Sequence, residues 1–494
     1  MSRIVHHTTA NFHAKLEAFP YQLEAFLAIK DKPYAAIFHE QGLGKTKIAI
    51  DLLLYWLEHK DIDTVLIVTK KTLVANWVGE FVTHTNLQTR TLDSKKKSNY
   101  YVLNSAARVI ITNFETISGE KERMSLFLKT RNVAIIIDES TKIKNPDAKL
   151  TQDFFELSPL FKIKVIMTGT PVANRPYDIW AQVYFLDQGK SLGINFSEFK
   201  GHCDLSNDLE KDEGKRKDFE FSIAGIFAKL KDFSVRETKN SGIISLPSKI
   251  YHDVEVPFET VQQEMYETVR QEMQIELKQG DQTILDESTE TIKRLLRLVQ
   301  ITSNPKLLDD DYPGASAKEL ALDQLIEQIV ARGEMAIVWS IYTGNVDLFC
   351  RKYKKYHAVK ITGKMSVEER NKSVTAFKSG EAKLLFATPQ SAKEGLTLTI
   401  ANNAIFYDRG FNLDDYLQAQ DRIHRISQNK DCHIYNLMVK DSIDIWVDVL
   451  LKAKQRAAFL TQGDINLEKY KEDADYSFAN IVHEILNTNQ DGNI

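Results

Sequence analysis

Apolar residues along this chain come in two patterns that alternate. A short apolar run at 35–38 and runs rich in β-branched residues at 64–69, 108–112, 133–137 and 163–167 read as strands. Between them the apolar positions open out to helical spacing, at 48–53 and again at 72–81, where Leu73, Trp77 and Phe81 share a face. Leu23, Phe26, Leu27 and Lys30 follow the same spacing and predict a short amphipathic helix ahead of the first strand. Strand and helix in alternation imply a mainly parallel sheet with helices on both faces, and in such sheets the chemistry gathers at the carboxyl ends of the strands.

The alternation stops after Asp187. Residues 188–233 are mixed, and the charged run 210–218 reads as a solvated loop. Residues 258–279 read as a long charged helix; 292–301, with Leu295, Leu296, Leu298, Val299 and Ile301, read as a more buried one. Alternation then resumes, with helices at 318–331, 345–353, 366–377 and 414–425 and strands at 336–340, 358–362, 383–387 and 402–407. The expected fold class is α/β, a pair of parallel-sheet lobes in tandem with helical insertions. Beyond about residue 451 the chain reads as helical and charged, with a polar tail at 487–493.

Composition narrows the class. A chain of 494 residues is long enough for two or three domains, and its 43% hydrophobic and 27% charged content is that of an ordinary globular protein. A net charge of -4 means that any nucleic-acid surface has to be local. Cys203, Cys350 and Cys432 lie far apart without metal-ligand spacing, which argues against a zinc site or a disulfide framework and fits a reducing compartment. No apolar run approaches the roughly 18–20 residues of a membrane span, and the first residues lack a signal-peptide core. The expectation is a cytoplasmic enzyme.

The candidate chemistry sits where the sheet pattern places it. His39-Glu40-Gln41-Gly42-Leu43-Gly44-Lys45-Thr46 joins the first strand to a helix and is one letter short of a phosphate-binding loop, with His39 at the first glycine. Small residues let successive backbone N–H groups curl around phosphate oxygens, and the helix N-terminus adds partial positive charge. Lys45 would reach the β- and γ-phosphates, and the Thr46 hydroxyl would ligate Mg²⁺. The apolar strand Ile135-Ile136-Ile137 delivers Asp138 and Glu139 at its end, the first suited to hold Mg²⁺ and the second to orient or deprotonate an attacking water. Other strands end in Met167-Thr168-Gly169-Thr170-Pro171 and in Ile111-Thr112-Asn113.

Taken together, Pro20-Tyr21-Gln22, Gly42 to Thr46, Asp138-Glu139-Ser140-Thr141-Lys142-Ile143-Lys144-Asn145 and Thr168-Gly169-Thr170-Pro171-Val172-Ala173-Asn174 resemble motifs Q, I, II and III of the SWI/SNF-type ATPases of helicase superfamily II. Arg236 with Leu246-Pro247-Ser248-Lys249 is similar to the segment that ends the first lobe in that family, and 295–305 to its L-L-R-L-R-Q-I-C-N-H-P. Gln418 to Gln428, with Arg422 and Arg425, resembles motif VI, and 391–398 motif V. The resemblance implies a pair of RecA-like lobes, a first over 1–240 with a helical insertion at about 188–235 and a second over 316–450. Between them would lie a linker and helical protrusion over 241–315, and after them a helical extension over 451–494. The helices near 258–301 are either the protrusions of that family or ordinary inter-lobe helices.

It also implies ATP and Mg²⁺ as cofactors and DNA, double-stranded or branched, as partner. Nucleotide would be held by Tyr21, Gln22, Gly42, Leu43, Gly44, Lys45, Thr46, Gly395 and Gln418, with Mg²⁺ on Thr46 and Asp138. Gln22 would read the adenine edge, because an amide donates and accepts together. Lys45, Asp138, Glu139, Arg422 and Arg425 would carry the chemistry, Arg425 as the main arginine finger. Backbone phosphates would meet Lys70, Lys71, Thr72, Asn113, Lys142 and Lys144 on the first lobe and Thr362, Gly363, Ser391 and Lys393 on the second. The implied activity is ATP-driven translocation on double-stranded DNA; the alternatives are a helicase acting on forks or recombination intermediates, and a degenerate ATPase serving as a DNA-binding scaffold. With no added chromatin-reader module in view, the expectation is a compact bacterial or phage-like monomer with a role in recombination or repair.

This chain departs from the family at several points. An acid commonly stands at His39, and Ala-His at Ser140-Thr141, where the histidine couples the nucleotide site to motif III. Motif V lacks its glycine pair and has Thr397 for Asn, and motif VI has Ser427 for Gly.

Overall fold

The computed structural model describes residues 10–205, 208–242, 246–279, 289–391, 396–425 and 427–476. The chain divides into two compact units. The first takes in the chain up to Asp204, Asp218–Ser245 and Ala457–Lys469; the second takes in Leu205–Lys217, Leu246–Arg456 and the chain from Tyr470.

The first unit is built on a seven-stranded sheet: β1 (Tyr34–Ile37), β2 (Thr64–Thr69), β3 (Thr89–Thr91), β4 (Val109–Asn113), β5 (Val133–Asp138), β6 (Ile163–Met167) and β7 (Ser234–Val235). Their order is β3-β4-β2-β5-β6-β1-β7, and every neighbour is parallel. The central strands carry apolar cores because helices cover both faces, and β2 and β5 are buried at every position. The helix α2 (Lys45–His59) lays Ile48, Leu52 and Trp56 into the sheet.

The helix α1 (Pro20–Ile29) forms as expected but turns its other side inward. It buries Tyr21, Gln22, Ala25 and Ile29, whereas Leu23 and Leu27 are exposed. The tyrosine and the amide are drawn in because both bond the phosphate loop, a preference that apolar spacing does not report.

The second unit holds a six-stranded parallel sheet of β8 (Lys249–Val256), β9 (Ala336–Trp339), β10 (Val359–Ile361), β11 (Leu384–Ala387), β12 (Asn403–Phe406) and β13 (Cys432–Val439), in the order β10-β11-β9-β12-β13-β8. β8 and β13 are additions to the sequence reading, which left 249–256 in a linker. β8 is an edge strand, exposed at Ile250, Tyr251, Asp253 and Glu255. Leu295, Leu298, Val299 and Ile301 are buried with Trp446, Val447 and Leu451, so the helix Thr289–Ser303 belongs to this unit's core. Among the described residues no helix is long and apolar enough to cross a membrane.

Candidate nucleotide site and nucleic-acid edge

Sheet register gathers the first unit's candidate residues at one edge. Thr69 at the end of β2 lies opposite Asn113 at the end of β4, Val68 opposite Ile137, Asp138 opposite Met167, and Met167 opposite Ile37. The segments that follow those strands therefore emerge side by side: Lys70-Lys71-Thr72 after β2, Glu139 after β5, Thr168-Gly169-Thr170 after β6 and the glycine-bearing loop after β1. Because every strand is parallel, all of these are carboxyl ends.

The loop turns through Gly42 (φ 88°) and Gly44 (φ 69°), the latter capping α2 in the left-handed region that a side chain would strain. A Cβ on Gly44 would lie 2.2 Å from the Gln22 amide nitrogen, so glycine also makes room for the Q-motif side chain. The Gln22 Nε2 donates to the Tyr21 hydroxyl (3.3 Å) and the Leu43 carbonyl (3.4 Å), its Oε1 accepts from the Phe19 N–H (3.0 Å), and the Tyr21 hydroxyl donates to the Leu43 carbonyl (3.2 Å). The structure thus brings Tyr21, Gln22, Leu43 and Gly44 together. Lys45 heads α2, its Nζ donating to the carbonyls of His39 (2.9 Å) and Glu40 (3.3 Å); those neutral acceptors are ones that phosphate oxygens outcompete. Thr46 follows it, half-buried in the first turn. Gly169 brings motif III onto the loop, since a Cβ there would meet the Gln41 side chain at 2.7 Å and Lys45 Nζ at 3.3 Å.

His39 is 2% exposed and stacks against Tyr21, with neither ring nitrogen in a hydrogen bond of ordinary geometry. Burial first, and the Lys45 ammonium second, push its pKa down to about 4, against an opposing Val235 carbonyl. The imidazole is therefore neutral at pH 7. Where the family commonly has an acid, this chain sets an uncharged ring beside Lys45.

Asp138 is the most strongly organised group of the site. Its Oδ2 accepts from the Trp77 indole N–H (2.8 Å) and the Thr69 hydroxyl (3.1 Å). Burial, and after it the adjacent Glu139 charge, raise its pKa to about 6; Trp77, Lys45 and Thr69 oppose the shift. Trp77, which the sequence reading assigned only to a packed face, bonds this candidate residue directly. A clue was present, because a buried indole N–H usually finds an acceptor. The donor set fits Mg²⁺: a carboxylate whose other oxygen those donors do not use, and a hydroxyl on the loop, are hard oxygen ligands of the kind that ion prefers.

Ser140 answers the question raised by the missing histidine. Its hydroxyl donates to Gln182 Oε1 (2.7 Å), and Gln182 Nε2 donates in turn to the carbonyls of Pro171 and Asp178, both at 2.8 Å. Ser140 and Gln182 are fully buried, so motif II is joined to motif III through a side chain of the helix Ile179–Asp187. Replacing Gln182 by leucine would strand the hydroxyl and the Pro171 carbonyl. Such a change should cost the first unit about 1–3 kcal/mol of stability. Urea or thermal melts check this, with Ser140→Ala expected to cost less because the amide keeps its two carbonyls.

The nucleic-acid candidates divide. Lys70, Lys71, Thr72 and Asn113 lie at adjoining strand ends, with Lys71 and Thr72 exposed. Asn113 is already in use as the N-cap of the helix Phe114–Gly119, its Oδ1 accepting from the Thr116 N–H. Lys142 pairs with Glu115 (3.2 Å) on the surface. Lys144 pairs with Asp178 (2.9 Å), whose carboxylate also accepts from the Asn174 N–H, so it braces motif III.

In the second unit Thr362 and Gly363 follow β10, and the Ser391 hydroxyl bonds the Ile361 carbonyl (2.9 Å), which brings the three to one strand edge. Lys393 and Gly395 lie outside the described residues. Gln418 is buried, its Nε2 donating to Asp414 (2.7 Å) and its Oε1 without a hydrogen-bond partner among the described residues. The expected helix over 414–425 ends at Gln420, a correction that places Arg422 and Arg425 in the turn beyond it. The backbone leaves the helix there because the Arg422 carbonyl accepts from the Leu398 N–H, while Gln428 Nε2 donates to the Ile423 carbonyl. Arg422 is buried, its Nε on the Gln418 carbonyl and its Nη1 on the Leu396 carbonyl. Arg425 is half-buried, with Nε on the Asp421 carbonyl and Nη1 on the Thr397 hydroxyl (2.8 Å).

Sequence comparison matches residues 26–307 to the SNF2-related domain and residues 317–427 to the helicase conserved C-terminal domain. Relatives include the ISWI chromatin-remodeling complex ATPase ISW2 of Saccharomyces cerevisiae, 26% identical over 82% of this chain and 37% of its own length. Another is the putative ATP-dependent helicase/translocase YwqA of Bacillus subtilis, 26% identical over 91% of this chain and 49% of its own length. This chain spans less than half of either. A solved structure, the SWI2/SNF2 ATPase core of Sulfolobus solfataricus in complex with dsDNA, is similar at a TM-score of 0.43 and 22% identity, over 94% of this chain and 98% of that one.

Proposed function

This chain belongs to the SNF2-related, helicase-like ATPases, and from that premise we propose that it is a DNA-dependent ATPase that translocates on double-stranded DNA. The observation that carries the reading is the edge of the first sheet. A phosphate loop, the acid pair Asp138-Glu139 and the lysines Lys70 and Lys71 emerge from neighbouring parallel strands. In this reading nucleotide hydrolysis and a phosphate-contacting surface share one sheet edge.

In this reading the loop N–H groups and Lys45 hold the ATP phosphates, while Tyr21 and Gln22 stand at the loop's adenine side. Thr46 and Asp138 would hold Mg²⁺. Bound there, the ion would supply charge neutralisation at the β- and γ-phosphates. Asp138 is kept in place by Trp77 and Thr69 and has to be ionised to serve. Glu139 orients and deprotonates the attacking water. Contacts from lysines and hydroxyls to backbone phosphates carry no sequence information, which suits a motor that moves along any duplex.

The test is ATP turnover without DNA and with single-stranded, duplex and branched DNA, beside Lys45→Ala as the inactive reference. Duplex stimulation without strand separation is the expected result. Strand displacement or branch migration on forks would replace translocase by helicase. Binding of DNA with no turnover on any substrate would leave a scaffold.

A further inference from the structure

The two acids at the end of β5 are held by donors of different kinds. Asp138 is gripped by the uncharged Trp77 indole and Thr69 hydroxyl. Glu139 is not: its Oε2 is buried and accepts no hydrogen bond from a described residue, and the ammonium of Lys70 stands 3.8 Å from it. Lys70 directly follows Thr69 at the end of β2, beside the exposed Lys71 and Thr72, and its side chain is 21% exposed against 15% for Glu139. Glu139 also sits in the left-handed region (φ 56°), where a non-glycine residue is held by its surroundings.

We propose that Lys70 is a tether that a nucleic-acid phosphate releases: it lies against the carboxylate of Glu139 in the DNA-free enzyme and leaves it when backbone phosphate binds at the β2 edge. The proposal rests on the reading of this chain as a DNA-stimulated ATPase and adds the residue through which stimulation reaches the water-activating group. The geometry favours exchange. At 3.8 Å the pair is longer than a charge-assisted hydrogen bond, whereas a lysine on a phosphate oxygen closes to about 2.7–2.9 Å and keeps its access to water. While it stays, the ammonium occupies the oxygen that has to face the attacking water. When it goes, Asp138 keeps its hold, because a phosphate has no claim on an indole N–H already bonded to a buried carboxylate. Lys70 is thus a positioning residue, acting on the reaction through Glu139.

Steady-state ATP turnover of the wild type, Lys70→Met and Lys70→Arg, each with and without duplex DNA, tests this. Lys70→Met should raise the DNA-free kcat roughly two- to fivefold, the factor a loosely held ion pair open to water commands. KM for ATP should be unchanged, and the stimulation ratio should shrink by the same factor. Lys70→Arg, which keeps the charge, should restore the low basal rate. An unchanged or lower basal kcat in Lys70→Met, beside a wild type that duplex stimulates, overturns the proposal and leaves Lys70 a simple phosphate contact. A wild type that no duplex stimulates removes the underlying reading instead, and with it the proposal.

Discussion

Glu139→Gln should lower ATP turnover by about 10²–10⁴-fold, the usual contribution of a positioned general base, while ATP binding persists. The substitution keeps the size of the side chain and its place at the end of β5, so Asp138, Trp77 and Thr69 have no reason to move. What it removes is the carboxylate. Of the residues flanking Asp138 only Glu139 carries a carboxylate, and the acids that pair with the lysines after it, Glu115 and Asp178, are tied to Lys142 and Lys144. Single-turnover hydrolysis alongside binding of a fluorescent ATP analogue separates the two effects. Turnover within tenfold of the wild type would show that the water is activated elsewhere, for instance by the phosphate itself.

Much of this site could be read before the fold was known, and the reason is local. The phosphate loop, the acid pair and Thr168-Gly169-Thr170-Pro171 are each contiguous, and each follows an apolar run that is buried on both faces. What escaped notice depends on partners far away in sequence. Trp77 is 61 residues from Asp138, and Gln182 is 42 from Ser140. Arg236 bonds the Phe38 carbonyl next to His39 and pairs with Asp464, 228 residues on. No periodicity signals such contacts.

The missed strands have a different cause. β8 has neither an apolar run nor a sustained alternation, reading Lys249-Ile250-Tyr251-His252-Asp253 directly after Leu246-Pro247-Ser248, so it resembles a linker, and its ladder with β13 makes it a strand. The inward face of α1 failed for a third reason. Its buried side is chosen by hydrogen bonds from Tyr21 and Gln22 to the loop, against the apolar stripe of Leu23 and Leu27.

These long-range contacts also bear on the altered motifs. A chain that loses the family's histidine after the acid pair but buries Ser140 on Gln182 has rebuilt the link between motifs II and III by another route. The buried, neutral His39 likewise leaves the Lys45 ammonium undiminished by a nearby negative charge at that position. Both departures leave the candidate residues for hydrolysis in place, which counts against the scaffold reading.

The arginines of motif VI can be told apart by what holds them, and the larger effect belongs to Arg425. Arg425→Ala should reduce ATP turnover by about 10³–10⁵-fold, the range of an arginine finger acting on the γ-phosphate. Its guanidinium is half-buried and leans with Nη1 on the Thr397 hydroxyl, an uncharged acceptor that a phosphate oxygen can displace. Arg422 is 2% exposed and bonds the carbonyls of Gln418 and Leu396, tying motif V to motif VI within the second unit. Removing it would leave those buried carbonyls short of a donor, so Arg422→Ala should lower the melting temperature. Arg425→Ala should melt as the wild type does and still bind ATP. The pair of measurements, turnover and melting, therefore divides the roles: one arginine for the reaction, one for the frame that presents it. Should Arg425→Ala retain more than a tenth of wild-type turnover while Arg422→Ala folds normally and is inactive, the assignment reverses, and the finger is the buried residue.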